Sequence, residues 1–316
     1  MVVIFFEQSG VGDTIIYTNY LTEFANKYGP VTLLVKKSSR ADQLFKYDES
    51  VKKIIFLDRG KNGGKHEGIK GAFKLAKEIK NSGNYEAAFL FSSSLRYHLI
   101  FKMLAGIKKV YQFPLFQKND DVILSAKLLT EKCLNKIIST ESRIKIPTNL
   151  IEKAKNKYNI DSNFTNIVVG GGGSGRSKIW PSKNFLGLCE KLQKQYPCRF
   201  FLAGGPKDSF IDDFLNSPLK ESCLSLKDLS ISETMPIIAN ADIAICNDSA
   251  FMHIAAALNK KVIGLFGDTP RVYSSWTKNI SIVEAPGLEG KTKHDSLSTH
   301  LIRLEDVYSK ALELLK

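Results

Sequence analysis

Residues 166–181 read NIVVGGGGSGRSKIWP: a short apolar run, a loop of five glycines, and a helix that cannot begin before Pro181. Three apolar residues, Ile167–Val169, running into glycine suit a strand buried on both faces. The glycines that follow let the backbone turn sharply and leave its N–H groups open at the carboxyl end of that strand. Gly170, Gly172 and Gly175 satisfy the literal G-x-G-x-x-G pattern. A dinucleotide site also needs a helix at once and an acidic residue ending the next strand. Here the next strand runs into Ala203-Gly204-Gly205-Pro206, so both conditions fail. Gly170–Ser177 meets the Walker A pattern at every position but one, carrying Arg176 where that loop has lysine. Two readings stay open: a flexible glycine turn, or a diphosphate site made of loop N–H groups with Arg176 and Lys178.

Outward from this loop, short apolar runs alternate with helical patterns. Strands are expected at 2–6, 31–35, 53–57, 86–91 and 108–112, then at 166–169, 199–203, 242–246, 261–265 and 280–283. Helices are expected at 14–28, 67–82, 94–104 and 121–138, then at 183–196, 208–215, 231–240, 249–258 and 304–315. This βαβα alternation predicts an α/β fold of parallel sheets covered on both faces. The rhythm breaks over 139–165, where Pro147, Asn149, Asn159, Asp161, Ser162 and Asn163 surround one short polar helix. The expected division is a domain over 1–147, a second over 148–303, and a closing helix within 304–316, with ligands meeting the carboxyl ends of the strands.

With 316 residues, 43% of them hydrophobic and 24% charged, the chain has the material for two full cores and is not a disordered polymer. No apolar run reaches the ~18 residues of a membrane span, and the first residues carry no signal-peptide pattern, so a cytoplasmic protein is expected. The five cysteines form no C-x-x-C pair, which argues against a zinc knuckle or a thioredoxin-like motif. No metal site and no cofactor are expected. The net charge is +13; residues 1–150 hold 24 Lys/Arg against 14 Asp/Glu, and residues 151–316 hold 21 against 18. The basic half suits an anionic partner, or is simply a lysine-decorated surface. Lys70, Lys74, Lys77 and Lys80 are expected along one side of the helix at 67–82, opposite Ile69, Phe73, Ala76 and Ile79.

Two further motifs carry chemistry. The first strand runs into Gln8-Ser9-Gly10-Val11-Gly12-Asp13. Asp13 is expected at the N-cap of the next helix, either as a plain cap or as a base that takes a proton from a hydroxyl. The second is Cys246-Asn247-Asp248-Ser249-Ala250-Phe251-Met252-His253. A strand ends there, and Asp248 and Ser249 start a helix on which His253 lies one turn further. That suits a sugar or phosphate, or else a capping Asp248 and a core histidine.

Three spaced blocks resemble glycosyltransferase family 9, the heptosyltransferases of the lipopolysaccharide inner core. They are Gly12-Asp13 with its helix; Lys178-Ile179-Trp180-Pro181 with Gly204-Gly205-Pro206 beyond it; and Asn247–Ala257 followed by Gly264-Leu265-Phe266-Gly267-Asp268-Thr269. The resemblance implies a GT-B architecture of two Rossmann-like domains, the final helix packing back toward the first. It implies an inverting transfer of sugar, typically heptose from ADP-heptose, onto a lipid-linked core oligosaccharide. It casts Asp13 as general base, with Gly173, Ser174, Lys178, Asp208, Leu229, Asp248, Ser249, Ala250 and His253 around the donor. Lys70, Lys74 and Lys77 would meet the anionic acceptor or the inner membrane leaflet, placing the enzyme at the inner face of the cytoplasmic membrane. The family usually has glycine at the place of Ala250 and lysine or arginine at that of Glu7, departures that bear on which sugar is used. Two other classes compete: another GT-B enzyme such as a nucleotide-sugar 2-epimerase, and an anionic-ligand binding module. The chain lacks the interleaved aromatic and basic motifs of an RNA binder, so no nucleic acid is expected as partner.

Overall fold

The computed structural model describes residues 1–8, 10–60, 63–116 and 121–316. Ser9 of the first glycine turn, and Lys61 and Asn62 of the Gly-rich loop at 60–68, lie outside them. The chain divides into two compact units, Met1–Ile144 and Lys145–Lys316.

In the first unit the order is β1 (Val2–Phe6), α1 (Val11–Ile16), α2 (Thr18–Tyr28), β2 (Val31–Lys36), α3 (Ala41–Leu44), β3 (Val51–Leu57), α4 (Gly68–Ser82), β4 (Ala87–Phe91), α5 (Leu95–Leu99), β5 (Lys109–Gln112) and α6 (Val122–Leu134). The strands form one parallel sheet, β3-β2-β1-β4-β5. The central β1 and β4 are buried along their whole length. The edge strands carry exposed Lys52, Lys53 and Lys109, charges that discourage pairing with another chain. One face of the sheet packs under α4 and α5, where Ala72, Leu75, Ala76, Ile79, Tyr97, Ile100 and Phe101 share a core with Val3, Phe5, Ala88 and Leu90.

The helices of this unit depart from the sequence pattern in two places. The helix expected over 14–28 is two helices that meet at Tyr17. The hydroxyls of Thr14 and Thr18 bond back to the carbonyls of Gly10 and Thr14, and Tyr17 N–H bonds to Thr14 O, three residues back. Such back-bonding bends and interrupts a helix. On α4, Ile69 and Phe73 do not face the core: they are 78% and 58% exposed. The buried stripe is Gly71, Ala72, Leu75, Ala76 and Ile79. A helix turns about 100° per residue, so Ile69 and Phe73 flank Lys70 and Lys74 instead of opposing them.

The second unit runs α7 (Thr148–Lys157), β6 (Thr165–Gly170), α8 (Ser182–Gln195), β7 (Cys198–Leu202), α9 (Phe210–Leu215), β8 (Cys223–Ser225), α10 (Ile231–Ile238), β9 (Ile243–Asn247), α11 (Ala250–Ala257), β10 (Lys261–Phe266), β11 (Ile280–Glu284) and α12 (Leu304–Leu315). Its parallel sheet has the order β11-β10-β9-β6-β7-β8. The three residues of β8 carry no apolar pattern of their own and pair with β7 alone, which is why they do not read as a strand. The closing helix α12 does not stand as a separate element. It packs on α8 and β10 within this unit, and its Val307 and Ala311 join the core of Ile167, Val169, Ile245 and Ile263. Each unit has a parallel sheet flanked by helices, the Rossmann-like layout that the resemblance to GT-B enzymes implies for both domains.

Candidate active site

The carboxyl ends of β6, β9 and β10 bring the second unit's polar residues together. The loop after β6 ends in a single 3-10 turn, Arg176–Lys178, before α8 begins at Ser182. Lys178 Nζ reaches Asp248 Oδ2 at 2.8 Å, seventy residues away in the chain. Thr269 donates to the same oxygen at 2.6 Å, and His253 Nε2 lies 3.9 Å from Oδ1. Burial would push the Asp248 carboxyl up, but Lys178, His253 and Thr269 outweigh it and hold the group below the ordinary aspartate range. Asp248 is therefore an anion at neutral pH, and Lys178 its counter-charge.

A lowered carboxyl pKa contributes stability above the unfolded-state value, near 3.9, and loses it as pH falls through the folded value. Asp248→Asn is thus expected to lower stability by roughly 2 kcal/mol at pH 7. The gap to wild type should close below about pH 4. A gap that persists in acid, by chemical denaturation across pH, would mean that the ion pair is not its source.

Next to this pair the chain offers donors. Ser249 is the N-cap of α11 but makes no side-chain cap bond, and its hydroxyl is buried without a partner. The first N–H groups of a helix have no partner within it. A buried hydroxyl and a helix N-terminus beside a lysine form a site that an anion completes. His253 N–H returns to Ser249 O at 3.5 Å, which places the imidazole one turn along the same side.

Of the residues that hold this constellation, the sequence marked Trp180 as a packing anchor under the loop, but gave no sign of the roles of Asn247, Thr299 and Trp276. Asn247, fully buried at the end of β9, accepts from Trp180 N–H at 3.1 Å and donates to Gly171 O at 2.7 Å. It therefore pins both ends of the glycine loop. Trp180 is a buried anchor whose indole donates to Ile302 O at 2.9 Å. Thr299 donates to Ser177 O at 2.6 Å, directly before Lys178. Trp276, also fully buried, donates from Nε1 to His253 Nδ1 at 3.2 Å. An indole nitrogen only donates, so His253 Nδ1 must accept and Nε2 carries the proton, facing Asp248. Trp276→Phe removes that constraint. Its expected signature is a mixture of tautomers in the ¹H–¹⁵N spectrum of the His253 ring, where wild type shows Nε2–H alone; identical spectra would show that something else sets the tautomer.

The remaining donor-side residues sit around this centre. Gly173 is half-buried and Ser174 exposed in the loop, and Ala250 is the first residue of α11. Asp208 turns one oxygen inward, where Oδ2 accepts from Gly205 N–H at 2.7 Å, and a Cβ on Gly172 would collide with it. Its first task is to close the Gly204-Gly205 turn while packing against Gly172. Leu229 is half-buried in the turn after β8.

In the first unit, Asp13 is the third residue of α1 and not its N-cap, which is Gly10. Its Oδ2 reaches back to accept from Gly10 N–H at 2.8 Å. A Cβ at Gly10 would lie 2.8 Å from that oxygen, so the absence of a side chain there makes room for the carboxylate. In the same unit a groove of about 480 Å³ is lined by Glu7, Lys36, Arg59, Gly60, Gly63, Glu67 and Tyr97, and not by Asp13. Glu7, Lys36 and Arg59 all follow or end strands, at the carboxyl edge of the sheet. Ser92 holds Glu7 at 2.6 Å, and Arg59 pairs with Glu67 at 3.1 Å. Lys70, Lys74 and Lys77 are not part of this groove; they stand on the exposed side of α4.

Residues 122–300 match the family model described as glycosyltransferase family 9 (heptosyltransferase). Among curated relatives, a lipopolysaccharide heptosyltransferase 1 of Campylobacter coli is 26% identical over 62% of this chain and 62% of its own. A lipooligosaccharide heptosyltransferase 2 of Haemophilus influenzae is 35% identical over 32% of this chain and 30% of its own. The matched stretches thus span less than two thirds of these relatives. The solved structure of the Escherichia coli ADP-heptose lps heptosyltransferase II covers 100% of this chain, at 18% identity and a TM-score of 0.76, and shares its fold. The family match takes in more than half of the chain and includes the Gly-loop, Lys178, Asp248 and His253: the chain belongs to glycosyltransferase family 9.

Proposed function

We propose that the protein is an inverting glycosyltransferase that moves a sugar, heptose in the first instance, from an ADP-sugar onto a lipopolysaccharide-core or related glycan. The observation that carries this reading is the unpartnered, buried Ser249 hydroxyl at the N-terminus of α11, beside Lys178, Asp248 and His253. A buried donor beside a lysine and a helix N-terminus suits an anion with several acceptor oxygens, and a diphosphate has that chemistry. Relatives and structural neighbours named for heptosyl transfer and ADP-heptose support the choice of donor.

In this mechanism Lys178, the α11 N-terminus and the loop around Gly173 and Ser174 receive the charge that develops on the leaving diphosphate. Asp208 and Leu229 flank the nucleoside, and Asp248 and the Nε2–H of His253 orient the sugar. The acceptor oxygen attacks the anomeric carbon from the face opposite the diphosphate. The new C–O bond forms as the old one breaks, and its electron pair leaves on the nucleotide. The acceptor proton passes to the carboxylate of Asp13. One displacement with one base inverts the anomeric centre. The acceptor is assigned to the first unit, whose groove offers Lys36 and Arg59 at the sheet's carboxyl edge. Its anionic groups, or those of the inner leaflet, are assigned to Lys70, Lys74 and Lys77. Among the described residues no helix is long and apolar enough to cross a membrane, and the proposed location is peripheral, at the inner face of the cytoplasmic membrane.

Titration calorimetry with ADP tests the donor half. Lys178→Ala should weaken ADP binding by about ten- to a hundredfold, the scale of a hydrogen bond to a charged group. Equal affinity in variant and wild type would remove Lys178 from the site. A thermal-shift panel of nucleoside diphosphates should show the largest stabilisation with ADP; a uridine nucleotide ranking first would overturn the choice of base.

A further inference from the structure

The first unit carries an outer surface, away from the groove of Glu7, Lys36 and Arg59, that takes no part in making or breaking bonds. Helix α5 continues into a π turn, Ile100–Leu104, and this turn packs beside α4. Both elements bury their inner sides in the same core, so their outer sides form one face. On it stand Ile69 and Phe73 of α4 and Leu95, Leu99 and Met103 of α5 and the π turn, with Ile69 78% and Met103 71% exposed. Residues four apart drift around an α-helix; the π turn takes more residues per turn and cancels that drift, so Leu95, Leu99 and Met103 hold one line.

The polar residues of this face are of one sign. Exposed Lys70, Lys74, Lys77 and Lys102 interleave with the apolar side chains. Between Gly68 and Phe116 the sequence has eight Lys/Arg and two acids, Glu78 and Glu86. Both acids are engaged, Glu78 by Lys65 and His66 and Glu86 by the chain's amino terminus. Arg96 is turned inward onto the carbonyls of His66 and Gly68, at 2.9 and 2.8 Å.

We propose that this face docks on an anionic lipid bilayer. Ile69, Phe73, Leu99 and Met103 enter the boundary between headgroups and acyl chains, while Lys70, Lys74, Lys77 and Lys102 meet the lipid phosphates. An exposed apolar row needs a covering, and a protein or glycan partner would satisfy either the apolar or the cationic component. A bilayer of acidic lipid satisfies both with one occupant: hydrocarbon under a layer of negative charge. The inference rests on the membrane reading above and gives it a surface.

Co-sedimentation of this 316-residue chain with vesicles tests it without requiring turnover, so failure here leaves the transfer reading standing and the reverse. The chain should bind vesicles of phosphatidylcholine mixed with phosphatidylglycerol at least tenfold more tightly than phosphatidylcholine alone, and release in high salt. Each lysine near an acidic surface multiplies binding roughly fivefold, so Lys70→Gln/Lys74→Gln/Lys77→Gln should lose about a hundredfold. Phe73→Ser/Met103→Ser should lose tenfold or more with the charge intact. Both sets are exposed positions, and unchanged melting confirms folding. Lys155→Gln/Lys157→Gln, on α7, should bind as wild type. Three results would overturn the proposal: no binding to the acidic vesicles, equal binding to neutral ones, or self-association of the wild type that Phe73→Ser/Met103→Ser abolishes, which would make a second copy the occupant. Wild-type salt dependence decides the matter even if a variant misfolds.

Discussion

Asp13→Asn should lower sugar transfer by about 10²-fold or more, the scale of general-base catalysis, and leave ADP affinity within about twofold of wild type. The side chain has two tasks that the substitution separates. Its Oδ2 caps α1 by accepting from Gly10 N–H; the amide oxygen of asparagine also accepts there, so the helix keeps its start and stability should change by less than about 1 kcal/mol. The proton-accepting task needs a carboxylate, which an amide cannot replace. A variant that folds, binds ADP and fails to transfer would isolate the second task. If steady-state kinetics with donor and acceptor show an unchanged kcat, Asp13 is a cap and nothing more. Asp13→Ala, which loses both tasks, should add a fall in melting temperature to the same loss of turnover.

Gly267→Ala should have the largest effect on stability. The residue follows β10, and a Cβ there would overlap the backbone N and Cα of Thr299. No flexible side chain can yield. The strap at 298–302 is bound to Gly267 itself, through Ser298 N–H and hydroxyl to Gly267 O, both at 2.8 Å. The same strap gives Thr299 to Ser177 and Ile302 O to Trp180. Displacing it therefore costs packing and loosens the turn that carries Lys178. A loss of about 3 kcal/mol is expected, seen by calorimetry as a fall of roughly 6–12 °C, together with weaker ADP binding. A melting temperature within ~2 °C of wild type would mean that the strap moves aside at little cost.

The two predictions differ in how they could be found. Asp13 stands out in the sequence because a glycine turn after an apolar strand singles out the first polar residue of the next helix. Gly267 does not, since its constraint comes from a strap more than thirty residues later. The same contrast runs through the fold. β1, β4 and α12 were legible because an unbroken apolar run or a helical apolar period lies in their own residues, and α4 was legible as a helix although not in the side that it buries. The break at Tyr17 and the three-residue β8 were not, because one depends on threonine hydroxyls bonding back along the helix and the other on the edge that β7 offers.

What the chain determined by itself is therefore local. Apolar runs bounded by glycine make parallel strands, the delayed helix start at Pro181 excludes a dinucleotide loop, and Asp248, Ser249 and His253 ride together at one helix start. Only the tertiary structure decided which partners these groups meet. It brought Lys178 to Asp248 and Trp276 to His253, set Asn247 under the glycine loop, and turned Ile69 and Phe73 outward beside the lysines. The physical reason is range: strand and helix periods act over a few residues, whereas an ion pair or a buried hydrogen bond is fixed by how whole elements pack, and packing joins positions that sequence spacing leaves apart.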